Sequence, residues 1–292
     1  ENGANSSFVS AVGDTSVPIG ELITRPQDVL AGGTRARNLK IPLPADLYGE
    51  SRKNSEGMEF GYSAERLALV EGMAKTEFPA VRARPLGKGL EAKGAERPVL
   101  SPADGKSVAG TVQEAGADQV AGIFDAASKG FERWSRTPVE ERAAAIARLG
   151  DLLEENRDRL MAILASEGGK CLADGIAEIR EAVDFCRYYA AQARILFGEG
   201  TLMPGPTGEE DRYRYRGRGV FVCISPWNFP LAIFLGQVTA ALVSGNAIIA
   251  KPAEQTPLIA HEAFRLLHKA GVPEDAAFFV PGDGAVGAAL VR

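Results

Sequence analysis

Between residues 120 and 197 the hydrophobic positions follow a helical period. Val120, Ile123, Phe124, Ala127, Phe131 and Trp134 recur three or four residues apart, which predicts one amphipathic helix. A second is expected from TPVEER onward: Thr137 stands where an N-cap belongs, Pro138 suits the first turn, and Glu140 completes a Thr-x-x-Glu capping box. Its inner face is Ile146, Leu149, Leu152 and Leu153. A third helix from about Arg157 to Glu167 closes at Gly168 and Gly169. A fourth, DGIAEIREAVDFCRYYAAQARILF, turns Ile176, Ile179, Val183, Cys186 and Tyr189 or Ala190 to one side.

After residue 218 the pattern changes. GVFVCIS is a short continuous run rich in branched residues, as expected of a strand covered on both faces. PLAIFLGQVTAALVSG has helical length and stops at a glycine. NAIIAK is a second such strand. TPLIAHEAFRLLHKAG reads as a helix with Thr256 as cap, Pro257 in the first turn and Gly271 past its end. AAFFV is a third strand, followed by PGDGAVG. This alternation predicts an α/β fold, a parallel sheet with flanking helices that forms half of a doubly wound nucleotide-binding domain. Ligands of such sheets sit at the carboxyl ends of the strands, where SPWNF, KPAE and PGDG fall.

The amino-terminal part is less regular. Residues 1–30 are small and polar, and the Gly- and Pro-bearing stretch from Gly32 to about Gly57 reads as an extended connector. ERLALVEGMAKTEF reads as one helix, and loops with short strands lead from there into the region of long helices.

Composition narrows the function. The 292 residues are 45% hydrophobic and 24% charged, an ordinary globular mixture. A net charge of -5 disfavours nucleic acid and anionic membranes as partners and favours small molecules. No apolar run is long enough to span a bilayer and no signal peptide is visible, so a cytoplasmic location is expected. Cys171, Cys186 and Cys223 are too widely spaced for a disulfide framework or a metal site and read as buried free thiols. His261 and His268 read as surface residues, because no neighbouring ligand set accompanies them.

At the strand ends, Asn228 is positioned to donate its amide to an oxygen that gains negative charge, although it can equally cap the helix that follows. Phe229 offers an apolar wall. Lys251 can reach ribose hydroxyls or a phosphate, and Glu254 can accept hydrogen bonds from a ribose diol. Gly282, Gly284 and Gly287 stand where a helix begins and backbone amides can meet an anion.

From about Ser101 to Arg292, the motifs ISPWNFPLAIF, SGNAIIAKPAEQTPLIA, AGVP and VPGDGAVG resemble the cofactor-binding half of the aldehyde dehydrogenase superfamily. ENGANSSFV, KIPLPADLYGESRKNSEG and AEIREAVDFCRYYA resemble its bifunctional proline utilization A branch. That branch joins a flavin-dependent proline dehydrogenase barrel to an NAD-dependent L-glutamate γ-semialdehyde dehydrogenase.

The resemblance implies a Rossmann-type sheet, incomplete here and preceded by an extended linker. It divides the chain into 1–30 as the tail of the barrel, 31–85 as linker and connecting helix, and 86–292 as the first part of the NAD-binding domain. Ile224, Ser225, Pro226 and Trp227 would form a wall along NAD, with Lys251 and Glu254 at the adenosine ribose and Gly284 near the adenine and pyrophosphate. Asn228 would stabilise the oxyanion of the aldehyde adduct, and Phe229, Ala232, Ile233 and Gly236 would line the aldehyde channel. The PGDGAVG loop is one residue shorter than the family's usual form, which leaves Gly287 without an assigned role. Glu1 and Ser7 match positions near FAD in the barrel. A homo-oligomer is implied, with glutamate semialdehyde as the small-molecule substrate.

The nucleophilic cysteine and water-activating glutamate that this chemistry needs are in none of these motifs. The chain is therefore expected to be part of a longer protein and inactive alone. Two other readings stand beside this one. The first is a noncatalytic nucleotide-binding or scaffold domain of the same fold. The second is nucleic-acid binding through RYRYRGR, against which the acidic balance of the chain argues.

Overall fold

The computed structural model describes residues 8–31, 40–78 and 81–292. Glu1, Ser7 and most of the Gly-rich start of the connector lie outside the described residues. Two compact units are present, one through Leu43 and one from Pro44 onward. The first holds three short helices, α1 (Phe8–Gly13), α2 (Ile19–Leu22) and α3 (Pro26–Ala31).

In the second unit a 3-10 turn at Pro44–Asp46 precedes α4 (Ser63–Met73), β1 (Arg82–Ala83), β2 (Arg97–Leu100) and β3 (Val108–Val112). Four long helices follow: α5 (Val120–Trp134), α6 (Val139–Glu155), α7 (Arg157–Gly168) and α8 (Leu172–Leu196). The hairpin β4 (Thr201–Met203) and β5 (Asp211–Tyr213) leads to β6 (Val220–Ile224), α9 (Ala232–Val243), β7 (Ala247–Lys251), α10 (Pro257–Lys269), β8 (Ala277–Phe279) and α11 (Gly284–Leu290). Strands β6, β7 and β8 form a parallel sheet in that order, the expected βαβαβ unit. A second sheet, β1-β3-β2, is mixed.

The helical periods hold because their apolar faces are buried: Ile146, Leu149, Leu152 and Leu153 on α6 and Ile179, Val183 and Cys186 on α8 are inaccessible to solvent or nearly so. Gly169 ends α7 with φ 65°, a left-handed turn that glycine adopts without cost. Phe234, Phe264 and Phe279 pack as tilted and edge-on rings with centroids 5.4–6.3 Å apart, joining α9, α10 and β8. Trp134 donates to the Leu242 carbonyl at 2.8 Å, and Arg142 donates from Nε to the Val243 carbonyl at 3.1 Å. Trp134 thus adds a second donor to the Leu242 carbonyl, which also accepts from Gly245 N at 2.9 Å, and Arg142 satisfies the Val243 carbonyl at the end of α9. The connector is also anchored: Ser55 donates from both N and Oγ to Asp184 of α8, and Arg52 pairs with the same carboxylate at 2.9 Å.

Several expectations are corrected. Helix α6 begins at Val139 with Pro138 as N-cap and no side-chain cap, so Thr137 does not form a capping box. Its carbonyl accepts from Arg142 instead, while Glu140 pairs with Arg194. Thr256 precedes α10 but makes no capping hydrogen bond, and its Oγ1 is buried without a partner. Strand β6 is not covered on both faces. Among the described residues it is an edge strand, with Phe221 44% and Ile224 42% exposed, whereas β7 is buried throughout. His261 is buried, because the inner face of α10 carries it against Phe279; His268 is half-buried. Cys186 and Cys223 are buried as expected, but Cys171 is exposed at the N-cap of α8.

Gly130 of α5 marks a close approach of a helix to the segment ahead of β8. A Cβ there would overlap the Asp275 carbonyl oxygen. We expect Gly130→Ala to lower stability by about 2 kcal/mol, because the segment ahead of β8 must shift to admit the methyl group. Urea denaturation checks this, and an unchanged midpoint would refute it.

Candidate functional site

Strands β6 and β7 run in register, with Val220 opposite Ala247 and Ile224 opposite Lys251. The pairing continues one residue further, where Ser225 N donates to the Lys251 carbonyl at 3.2 Å. The turns SPWNFP and KPAE therefore leave the sheet side by side.

The first turn is held from beneath. Glu178, buried on α8, accepts from Leu231 N at 2.8 Å and Ala232 N at 3.3 Å. Lys170 Nζ lies 2.9 Å from the other oxygen of Glu178 and 4.4 Å above the Phe229 ring. The alternative role of Asn228 as a helix cap is thereby excluded, since α9 starts at Ala232 and takes its acceptor from Glu178. Asn228 is exposed, and among the described residues it makes no hydrogen bond. Trp227 is 60% and Phe229 39% exposed, while Ser225 is buried with Oγ lacking a partner. The Ile224 carbonyl accepts from Gln237 Nε2 at 3.1 Å.

The second turn closes over Lys251. This side chain is 7% exposed and donates to the Pro252 carbonyl at 3.2 Å. Burial lowers the affinity of its amine for a proton; the carboxylates of Glu254, Asp283 and Glu114 oppose that effect. These three carboxylates, with Arg97 and Glu167, line a cavity of about 630 Å3. A volume of this order suits a small organic ligand. Arg97 bonds from Nε to Glu114 at 3.1 Å and from Nη2 to the Glu254 carbonyl at 3.2 Å, tying β2 to the turn after β7. Glu254 is exposed, and its carboxylate accepts from Gln255 Nε2 at 3.2 Å.

The other expected positions are arranged less openly. Ala232 is fully buried, Gly236 lies against the Phe185 ring, with Cε2 3.2 Å from where a Cβ would stand, and Ile233 is half-buried. Gly284 opens α11 with free space beside its α-carbon. The amides at that helix start are not vacant for an anion, as the glycines suggested: Asp283 accepts from Ala285 N at 2.9 Å and Val286 N at 3.2 Å. Gly287 passes Lys251, whose Cε is 3.4 Å from a Cβ built there.

Sequence reasoning did not single out Arg97, Glu114, Glu167, Lys170 or Glu178. The last alone left a signal, an acidic residue on the apolar face of α8 beside Ile179 and Ala182. The Asp-Gly-Ala-Val start of α11 also carried a readable N-cap. Arg97 and Glu114 meet only through strand pairing.

A three-stranded parallel sheet built as βαβαβ with flanking helices defines a mixed α/β domain, and of the strand-end residues expected at the site only Glu254 borders the cavity. Among the described residues no helix is long and apolar enough to cross a membrane. The chain belongs to the aldehyde dehydrogenase family, whose model matches residues 90–292. It is 41% identical over 297 residues to the bifunctional protein PutA of Escherichia coli (strain K12), a match covering 99% of this chain and 22% of that protein. It is 35% identical over 234 residues to the 1-pyrroline-5-carboxylate dehydrogenase of Bacillus cytotoxicus, covering 80% of this chain and 45% of that protein. A crystal structure of a mutant of Bradyrhizobium japonicum proline utilization A (PutA) aligns with a TM-score of 0.80 at 47% identity, over 99% of this chain and 26% of that one. The chain thus spans less than half the length of each of these proteins.

Proposed function

We propose that this chain supplies the NAD-binding wall and the oxyanion-stabilising amide of a glutamate semialdehyde dehydrogenase, within a larger proline-catabolic protein that also carries an FAD-dependent proline dehydrogenase. The observation that carries this reading is the in-register end of β6 and β7, which sets the Asn228 turn next to the Lys251–Glu254 turn. The similarity to PutA proteins and to 1-pyrroline-5-carboxylate dehydrogenases supports the choice of aldehyde and of the wider pathway.

The residues fit a nucleotide cofactor. Glu254 offers a ribose diol an exposed carboxylate that Gln255 Nε2 also meets at 3.2 Å, Lys251 supplies a buried positive charge that acts on it, and the unpartnered Ser225 Oγ can pair with a ligand group. NAD, when bound, supplies the electron-pair acceptor of the oxidation. The Asn228 amide donates to the aldehyde oxygen as a nucleophile adds and charge collects there. Phe229 gives the aldehyde an apolar wall, and Lys170 over its ring together with Glu178 below fixes the turn. Burial pushes the Cys223 thiol up to about 12 and the Cys186 thiol higher still, so both stay protonated and neither serves as the nucleophile.

Isothermal titration of residues 1–292 with NAD tests the proposal. Saturable binding is expected, weakened roughly tenfold in Lys251→Ala by loss of a charged contact. Absence of NAD binding, or equal affinity in the variant, would count against it.

A further inference from the structure

Arg84, His261 and Arg265 border a cavity of about 340 Å3 that shares no lining residue with the cavity at the strand ends. We propose that it binds a phosphate dianion, free or as a small ester, held by Arg84, Arg265 and the Nε2–H of His261.

The lining holds four guanidiniums, Arg82, Arg84, Arg159 and Arg265, against two carboxylates, Glu96 and Glu262. This positive excess stands out in a chain of net charge -5. Glu262 is buried and divided between two partners, Arg159 Nε at 2.9 Å and Arg265 Nη1 at 3.2 Å, so it neutralises neither completely. Glu96 faces Arg82 at 3.8 Å and also accepts from the Thr111 hydroxyl. Among the described residues Arg84 has no carboxylate partner, and its side chain sits at the exposed end of β1.

His261 supplies the second observation. It is 6% exposed, and its Nε2 is buried without a hydrogen-bond partner. A buried ring nitrogen is seldom left unpaired, and a ligand in the adjoining cavity is one way to pair it. The charged groups acting on the imidazole are Glu262 and Arg265 from its own helix and Arg84 from beyond β1, with the Phe279 ring packed edge-on 5.7 Å away. Burial, aided by the two guanidiniums and opposed by Glu262, pushes its pKa down to about 4. The ring is thus neutral at pH 7, and it donates from Nε2 when the proton occupies that nitrogen. An anion seated between Arg84 and Arg265 offsets their repulsion of the imidazolium and raises its pKa.

The chain has two histidines, so the ring carbon resonance of His261 can be followed directly by NMR. Inorganic phosphate is expected to shift the His261 signal saturably, to leave His268 unmoved, and to raise the His261 titration midpoint by about one unit. Arg84→Ala, with Arg84→Gln as the second variant, is expected to weaken binding roughly tenfold while circular dichroism stays unchanged. Tighter binding of glycerol 3-phosphate than of phosphate would identify an ester as the ligand, and equal or weaker binding the free ion. A shift that fails to saturate, that sodium chloride reproduces at equal ionic strength, or that persists unchanged in both Arg84 variants would overturn the proposal.

Discussion

Glu178→Ala is expected to lower the unfolding free energy by about 3–5 kcal/mol, the usual cost of breaking a buried charged pair from one side. The carboxylate is buried on α8 and serves three groups at once: the Leu231 and Ala232 amides at the start of α9, and the Lys170 ammonium 2.9 Å away. Alanine would leave two helix-end donors and a largely buried cation unpaired, in a place water reaches poorly. Glu178→Gln keeps a carbonyl oxygen for the amides and loses only the charge, so about half the loss is expected. Urea denaturation gives the free energies, and hydrogen exchange at Leu231 and Ala232 reports whether the turn itself has loosened. A loss below about 1 kcal/mol for the alanine variant would show that the cap is dispensable. The effect bears on function because the same support carries Asn228 and Phe229.

A comparable carboxylate lies under the next turn. Glu167, at the end of α7, accepts from Leu258 N at 2.6 Å and Ile259 N at 2.9 Å and so caps α10. Burial pushes its pKa up to about 8, although the two amides pull in the opposite direction. An acid with a raised native pKa binds its proton more tightly when folded. Its contribution is then fully present below its unfolded pKa, near 4.5, and is lost as pH rises through about 8. We expect the wild-type chain to lose about 3–4 kcal/mol relative to Glu167→Gln between pH 5 and pH 8, because glutamine keeps the acceptor and does not titrate. Comparison with the variant removes the contribution of other titrating groups. Parallel stability curves for the two proteins across that range would contradict the assignment.

These two glutamates show what local reading misses. Thr256 and Asn228 stand at plausible cap positions for α10 and α9, and sequence spacing puts nothing better nearby. The caps in the folded chain come instead from Glu167 and Glu178, more than fifty residues upstream, brought in by the packing of α7 and α8. Distance along the chain gives no clue to such a partner. The same holds for His261: a histidine in KPAEQTPLIAHEAF carries no local mark of burial, and only the seating of α10 against β8 turns it inward. Strand β6 illustrates the opposite limit, since its apolar composition is that of a central strand although among the described residues it stands at an edge.

The periodicity of the chain, taken alone, determined its long helices, the βαβαβ order and the placement of SPWNF, KPAE and PGDG after parallel strands. Those features depend on which residues shun water and on which residues end helices, both properties of short segments. Tertiary structure alone decided which side chains cap α9 and α10, that Lys251 is buried with three carboxylates acting on its amine, and that four arginines and a histidine border one cavity. Such arrangements are set by packing between distant segments, where desolvation and partner geometry outweigh the preferences of any single stretch.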